Sequence, residues 1–113
     1  MTPSQKPGTA ERKRRSTQRF EILNAFVDES MRRLKPAECV VWTVLFRDTK
    51  ADHRARASVD DLATRTGLSR STILRALKTL ETQGFVKVAQ RGGLNQGPSV
   101  YIVFPYAMTG TNP

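Results

Sequence analysis

Acidic residues are scarce in this chain. Ten Asp and Glu stand against 19 Lys and Arg in 113 residues, a formal net charge of +9. That imbalance disfavours cationic partners and favours polyanions. Cysteine is rarer still. Cys39 is alone, so no internal disulfide can form, and a reducing cytoplasm suits the chain. The one histidine, His53, has no cysteine or carboxylate pair at ligand spacing, so no metal is expected. No apolar run is long enough to span a bilayer, and the opening M-T-P-S-Q-K-P-G is polar throughout. Neither a membrane span nor a signal peptide is therefore expected. No internal repeat is visible.

Catalytic patterns are missing as well. Asp60 and Asp61 adjoin, but they fall in the first turn of an expected helix, where the helix dipole accounts for them. The serines have no base at a spacing that argues for a nucleophile. Gly92-Gly93 is not followed by the helix start and lysine of a phosphate loop. Cys39 sits in an apolar helix, the setting of an inert thiol. The chain is expected to be no enzyme and to carry no cofactor.

What the chain does have is concentrated in residues 58–86, S-V-D-D-L-A-T-R-T-G-L-S-R-S-T-I-L-R-A-L-K-T-L-E-T-Q-G-F-V. Ser58 is placed to cap a short helix, and Gly67 ends it, since a left-handed residue is cheap only for glycine. Leu68 is expected to anchor the turn. Ser69 caps a second helix in which Ile73, Leu74, Leu77 and Leu80 recur three and four residues apart and mark a buried face. Gly84 stops it. Opposite that face Ser71, Arg75, Lys78 and Thr82 fall together, and Ser69, Arg70 and Thr72 crowd the N-terminal end. A basic, hydroxyl-rich stripe on the second helix of such a pair suits a DNA major groove. Arg75 has the planar fork that matches two acceptors on a guanine edge, and Arg70 suits a base or a phosphate. Ser69, Ser71 and Thr72 suit phosphate oxygens at a helix N-terminus, and Lys78 suits backbone phosphate. The competing description is an ordinary amphipathic helix with a solvated polar face.

Beyond Gly84 the period changes. Residues 85–89, F-V-K-V-A, alternate like a strand, and residues 99–104, S-V-Y-I-V-F, form a second one rich in β-branched and aromatic side chains. Between them lies the glycine-rich segment 90–98. The result is a β-hairpin whose tip carries Arg91, Asn95 and Gln96, placed to meet a minor groove or its phosphates. The expected fold is mainly α with a small β-hairpin: a winged helix-turn-helix of three to four helices plus the wing.

The pattern Ser58…Leu62-Ala63…Gly67-Leu68-Ser69…Thr72-Ile73…Arg75-Ala76…Leu80-Glu81…Gly84-Phe85-Val86 resembles the winged helix-turn-helix of MarR-type and GntR-type regulators. It is more similar still to the winged-helix module of phage and plasmid replication proteins and small phage-like regulators, in which a proline-started apolar helix precedes the motif, as the helix from Pro36 does here. The resemblance covers about residues 34–104 and implies binding of double-stranded DNA through Ser69, Arg70, Ser71, Thr72 and Arg75, with Arg91 in the wing. The tail from Pro105 is too short for an effector domain, so no small-molecule effector is expected.

Three domains of behaviour are expected: a disordered basic arm over 1–18, the folded unit over 19–104, and a flexible tail over 105–113. The arm holds Arg12, Lys13, Arg14 and Arg15 among polar residues, a composition that stays unfolded when free and follows phosphates. Residues 50–56 are expected to be a loop in which Arg54 and Arg56 touch backbone phosphate. Ahead of it, Phe20, Leu23, Phe26, Val27, Ser30, Met31 and Leu34 follow helical spacing over residues 19–33. The helix after Pro36 is apolar nearly all round, with Ala37, Val40, Val41, Val44 and Leu45 on one side and Cys39, Trp42 and Phe46 on the other. Such a helix must be covered on both sides. Either the first helix lies over Trp42 and Phe46, or the helix from Phe20 to Leu34 makes a homodimer, and the dimer is favoured because two-fold proteins read two half-sites. The leading functional expectation is a sequence-specific DNA-binding protein, a small transcriptional regulator in the cytoplasm of a bacterium or encoded by a phage or plasmid, and associated with the nucleoid. A replication-initiation or mobile-element accessory protein is the alternative, and a winged-helix protein adaptor a more distant one.

Overall fold

The computed structural model describes residues 8–93 and 97–107, with the backbone alone over 8–15. Helix α1 (Gly8–Ala25) runs into a wide π-helical stretch, Phe26–Ser30, and a short 3-10 turn, Met31–Arg33. Helix α2 (Pro36–Asp48) follows, then strand β1 (Arg54–Ala57), the pair α3 (Val59–Thr66) and α4 (Arg70–Gln83), and the strands β2 (Val86–Gln90) and β3 (Ser99–Val103). The sheet is antiparallel in the order β1-β3-β2. This is a winged helix-turn-helix, mainly helical, with one strand more than a bare hairpin.

The helix ends follow from local chemistry. Ser58 Oγ accepts from the Asp61 amide at 3.0 Å and opens α3, and Ser69 Oγ accepts from the Thr72 amide at 3.2 Å and opens α4. Gly67 closes α3 at φ 77° and Gly84 closes α4 at φ 87°, both left-handed. At the head of α2 the Glu38 carboxylate accepts from the Lys35 amide at 2.9 Å.

Residues 50–56 were expected to be a loop, and the second half of that segment is strand. Arg54 and Arg56 face solvent while Ala55 and Ala57 are buried against the core. Register with β3 is Arg54 to Ile102 and Arg56 to Val100. The turn into the strand is held by His53, at φ 63°, whose amide donates to Lys50 O at 2.9 Å and whose carbonyl accepts from Val103 at 3.1 Å. The first helix also differs from its expected bounds. It starts at Gly8, so the boundary drawn at residue 18 falls inside it.

Aromatic packing settles what covers α2. Phe26 is fully buried and stacks on Trp42 with centroids 3.7 Å apart, and Trp42 stacks on Phe46 at 5.1 Å. Phe85 meets Phe26 edge-on at 6.2 Å, joining the first helix to the root of the wing. The Trp42 indole donates to Phe104 O at 2.8 Å, and buried Ser30 donates to Pro105 O at 2.7 Å. The π-helical turn widens the helix where Phe26 and Ser30 must both point inward. The internal cover is therefore the first helix, and Phe26 belongs to the core. Two apolar positions expected on buried faces lie outside: Val40 is 42% exposed and Leu74 51%.

Arg19 fixes α1 on the C-terminal end of α2. Its guanidinium donates to the carbonyls of Phe46 at 3.1 Å, Thr49 at 3.3 Å and Arg47 at 3.4 Å, and to Thr49 Oγ1 at 3.0 Å. It lies 4.5 Å above the Phe46 ring. A cation there satisfies carbonyls that a helix end leaves free and opposes the negative end of its dipole. Cys39 is half-buried, and burial, then the charge of Glu38, push its thiol pKa up. It is expected to react several-fold more slowly with a thiol reagent at pH 8 in the folded protein than in denaturant, where the thiolate is freely formed. Equal rates would contradict that burial.

Candidate nucleic-acid interface

The two-helix unit is built so that α4 presents one face outward. Ile73, Ala76, Leu77 and Leu80 are buried, and α3 sends only Leu62 fully into the core beneath them. That leaves Ser69, Arg70, Ser71, Arg75, Lys78 and Thr82 exposed, with Thr72 half-buried. The stripe expected from the 3.6-residue period is thus present as an open surface. Its N-terminal hydroxyls form a chain. Ser69 Oγ lies 2.9 Å from Thr72 Oγ1 and 3.3 Å from Ser71 Oγ, and Arg75 reaches Thr72 Oγ1 at 3.5 Å.

The α3–α4 unit is braced from behind. Arg65 donates to both oxygens of Asp48, at 3.1 and 2.6 Å, and to Asp61 at 2.8 Å. Those bonds, Asp48 first, raise the Arg65 pKa beyond the ordinary guanidinium range. The bridge ties the C-terminal end of α2 to α3 with a fork-to-carboxylate geometry. Arg65 was not singled out from the sequence. Only its four-residue spacing from Asp61 signalled a helical ion pair, and the longer link to Asp48 carried no sequence signal.

The wing lies beside the same unit. β2 and β3 pair with a bulge between Val88 and Gln90, and Gly93 bonds Gly97 at 3.0 Å across the tip. Gly92 cannot carry a side chain there, because a Cβ would be driven into the backbone of Gly97 and Pro98. Its amide donates to Ser99 Oγ at 2.8 Å. Tyr101 is buried on β3, and burial pushes its hydroxyl pKa up. A hollow of about 430 Å³ separates wing from helices and is lined by Ser58, Asp60, Arg70, Gly92, Ser99 and Tyr101 among others.

The expected cations do not all stand free. Arg91 is exposed and donates to Glu81 of α4 at 3.2 Å, so the tip end of β2 touches the C-terminal half of α4. Arg70 pairs with Asp60 of α3. Arg54 stands 3.8 Å from Asp52. Arg54 and Arg56 line a separate depression with Lys50 and Asp48, and neither borders the hollow between wing and helices. Among the described residues, no carboxylate pairs with Arg75 or Lys78. Asn95 and Gln96 lie outside the described residues, as do the side chains of Arg12, Lys13, Arg14 and Arg15. No group of three or more His, Cys, Asp or Glu among the described residues is arranged to hold a metal. No helix among them is long and apolar enough to cross a membrane.

Comparison with known proteins adds a family likeness over this same unit. The family model for the IclR helix-turn-helix domain matches residues 51–89, from the turn before β1 through α3 and α4 to β2. The match covers about a third of the chain. It supports a winged helix-turn-helix and falls on a family other than the MarR and GntR types, whose likeness rests on the motif pattern alone. No curated protein matches the chain.

Proposed function

We propose that the chain is a sequence-specific double-stranded DNA-binding protein, a small transcriptional regulator. The observation that carries this reading is the face of α4 described above: Ser71, Arg75 and Lys78 exposed on a helix whose reverse side is buried, with the wing at its flank. In the proposed complex α4 lies in the major groove. Arg75 reads a base edge, Arg70 meets a base or a phosphate, Ser69, Ser71 and Thr72 hold phosphates at the helix N-terminus, and Lys78 neutralises backbone charge. Arg91, with Asn95 and Gln96, lies along the adjacent minor groove. Arg12, Lys13, Arg14 and Arg15 add affinity without sequence reading, as does the excess of cations overall. Arg54 and Arg56, on the solvent face of β1, touch backbone only if the duplex bends toward that side. In this reading the protein acts on DNA in the cytoplasm, at the nucleoid.

The homodimer belongs to this proposal through a different set of side chains from Phe26. Phe20 is 65% exposed, Val27 46% and Met31 37%. They recur at seven and four residues on the outer side of the first helix, a spacing that suits a second copy of the same stripe. Phe20→Asp is expected to leave the thermal melt nearly unchanged. It should abolish cooperative binding to a two-half-site duplex, read by gel shift and by solution mass. Unchanged cooperativity would remove this stripe from the interface.

Selection of bound sequences from a random duplex pool tests the function as a whole. The expected result is a palindromic motif with half-sites about 34–36 Å apart, one turn of DNA. A pool that stays random through successive rounds would leave only nonspecific polyanion binding.

A further inference from the structure

Two of the cations that the proposed complex needs are occupied by acids of the same surface. Arg70, at the start of α4, is paired with Asp60 in the first turn of α3. Arg91, in the wing, is paired with Glu81 near the end of α4 at 3.2 Å. At 100° per residue, Arg70 and Glu81 both fall on one edge of the stripe that holds Ser71, Arg75 and Lys78. That edge faces the wing, since Arg91 reaches Glu81 across it. Arg75 and Lys78, farther round the stripe, have no such acid partner among the described residues.

We infer that Asp60 and Glu81 act as an electrostatic brake on duplex binding, holding Arg70 and Arg91 until a phosphate displaces them. The inference rests on the DNA-binding reading above. A duplex brings phosphates to the cations on the edge of α4 before any base is read. Each phosphate must then displace a carboxylate from its arginine or lie beside that carboxylate's charge, and both cost free energy on every sequence alike. The pairs are exposed: Asp60 is 79% and Arg70 60% accessible, Glu81 43% and Arg91 69%. They are therefore easily opened when central contacts are good, and they contribute little to the fold itself. A site that matches Arg75 returns free energy that offsets this cost. Nonspecific binding, which is almost wholly electrostatic, lacks that return.

Asp60→Asn and Glu81→Gln test this, each measured against a random duplex and against the duplex selected by the unmodified chain, over a range of salt. Each variant is expected to bind random duplex about two- to fivefold more tightly, the span that an exposed ion pair is worth. The log–log salt dependence should steepen by up to about 0.9 for the cation released. The selected duplex should gain by a similar factor, so the ratio of selected to random affinity stays near that of the unmodified chain. In an Arg70→Ala background the gain from Asp60→Asn should shrink, which a purely structural role for Asp60 would not produce. A thermal melt near that of the unmodified chain separates these effects from misfolding. Unchanged or weaker random-duplex binding by both variants, with selected binding intact, would overturn the inference and leave the DNA-binding reading standing. If the unmodified chain selects no duplex, the functional reading fails and the inference falls with it.

Discussion

Phe26→Asp unfolds the domain. Its ring is fully buried between Trp42, stacked at 3.7 Å, and Phe85, edge-on at 6.2 Å. Truncating a buried Phe costs about 3–5 kcal/mol, and an unpaired carboxylate in the same apolar site adds several more. The total reaches the whole stability of a small domain, roughly 5–15 kcal/mol. The expected readouts are loss of the cooperative thermal transition and a red-shifted Trp42 emission. A folded Phe26→Asp variant would show that the first helix does not cover α2. The contrast with Phe20→Asp, on the outer side of the same helix, separates core from interface.

Arg75→Ala weakens binding to the selected duplex by about 1–3 kcal/mol, roughly fivefold to 150-fold, and spares most random-duplex binding. The reason is its position. Arg75 is exposed mid-stripe, with a hydroxyl neighbour in Thr72 and no carboxylate partner among the described residues. Its guanidinium is free to meet the two acceptors of a guanine edge. Lys78→Ala, one turn further along, should instead weaken all sequences alike and lower the salt slope by about 0.9. Equal losses on selected and random duplex for Arg75→Ala would reassign it to phosphate. Competition gel shifts with both duplexes decide this.

The helix-turn-helix was legible because its signals are local. Ser58 and Ser69 cap, Gly67 and Gly84 stop, and the caps lie where the hydroxyls predict. The change from a period near four to a period of two after Gly84 announced the wing. Strand β1 escaped because Arg-Ala-Arg-Ala is short and rich in residues of low strand propensity; it is made a strand by pairing with β3, which no local signal reveals. Leu74 follows helical spacing yet lies 51% exposed, because the apolar arc of α4 is wider than its contact. Phe26 and Phe20 share one helical pattern, and periodicity cannot tell which side meets Trp42. The π-helical turn shifts the phase at that point.

In the candidate interface the exposed α4 residues were legible from the wheel, and their partners were not. Asp60 with Arg70, and Glu81 with Arg91, are each ten residues apart in sequence and meet only through the turn or the wing. Arg65 joins Asp48 across 17 residues, and Arg19 reaches Thr49 across 30. Side chains that brace the surface act through tertiary contacts, which composition and period do not encode.

Titration of the isotope-labelled chain with its selected duplex, followed by backbone amide resonances, tests the placement of α4 most directly. The expected result is the largest shifts at residues 69–78 and around Arg91 and Gly92, with the buried residues of α2 nearly still. Shifts concentrated on α1 or on the β1 edge, with residues 69–78 unmoved, would contradict a groove-docked α4.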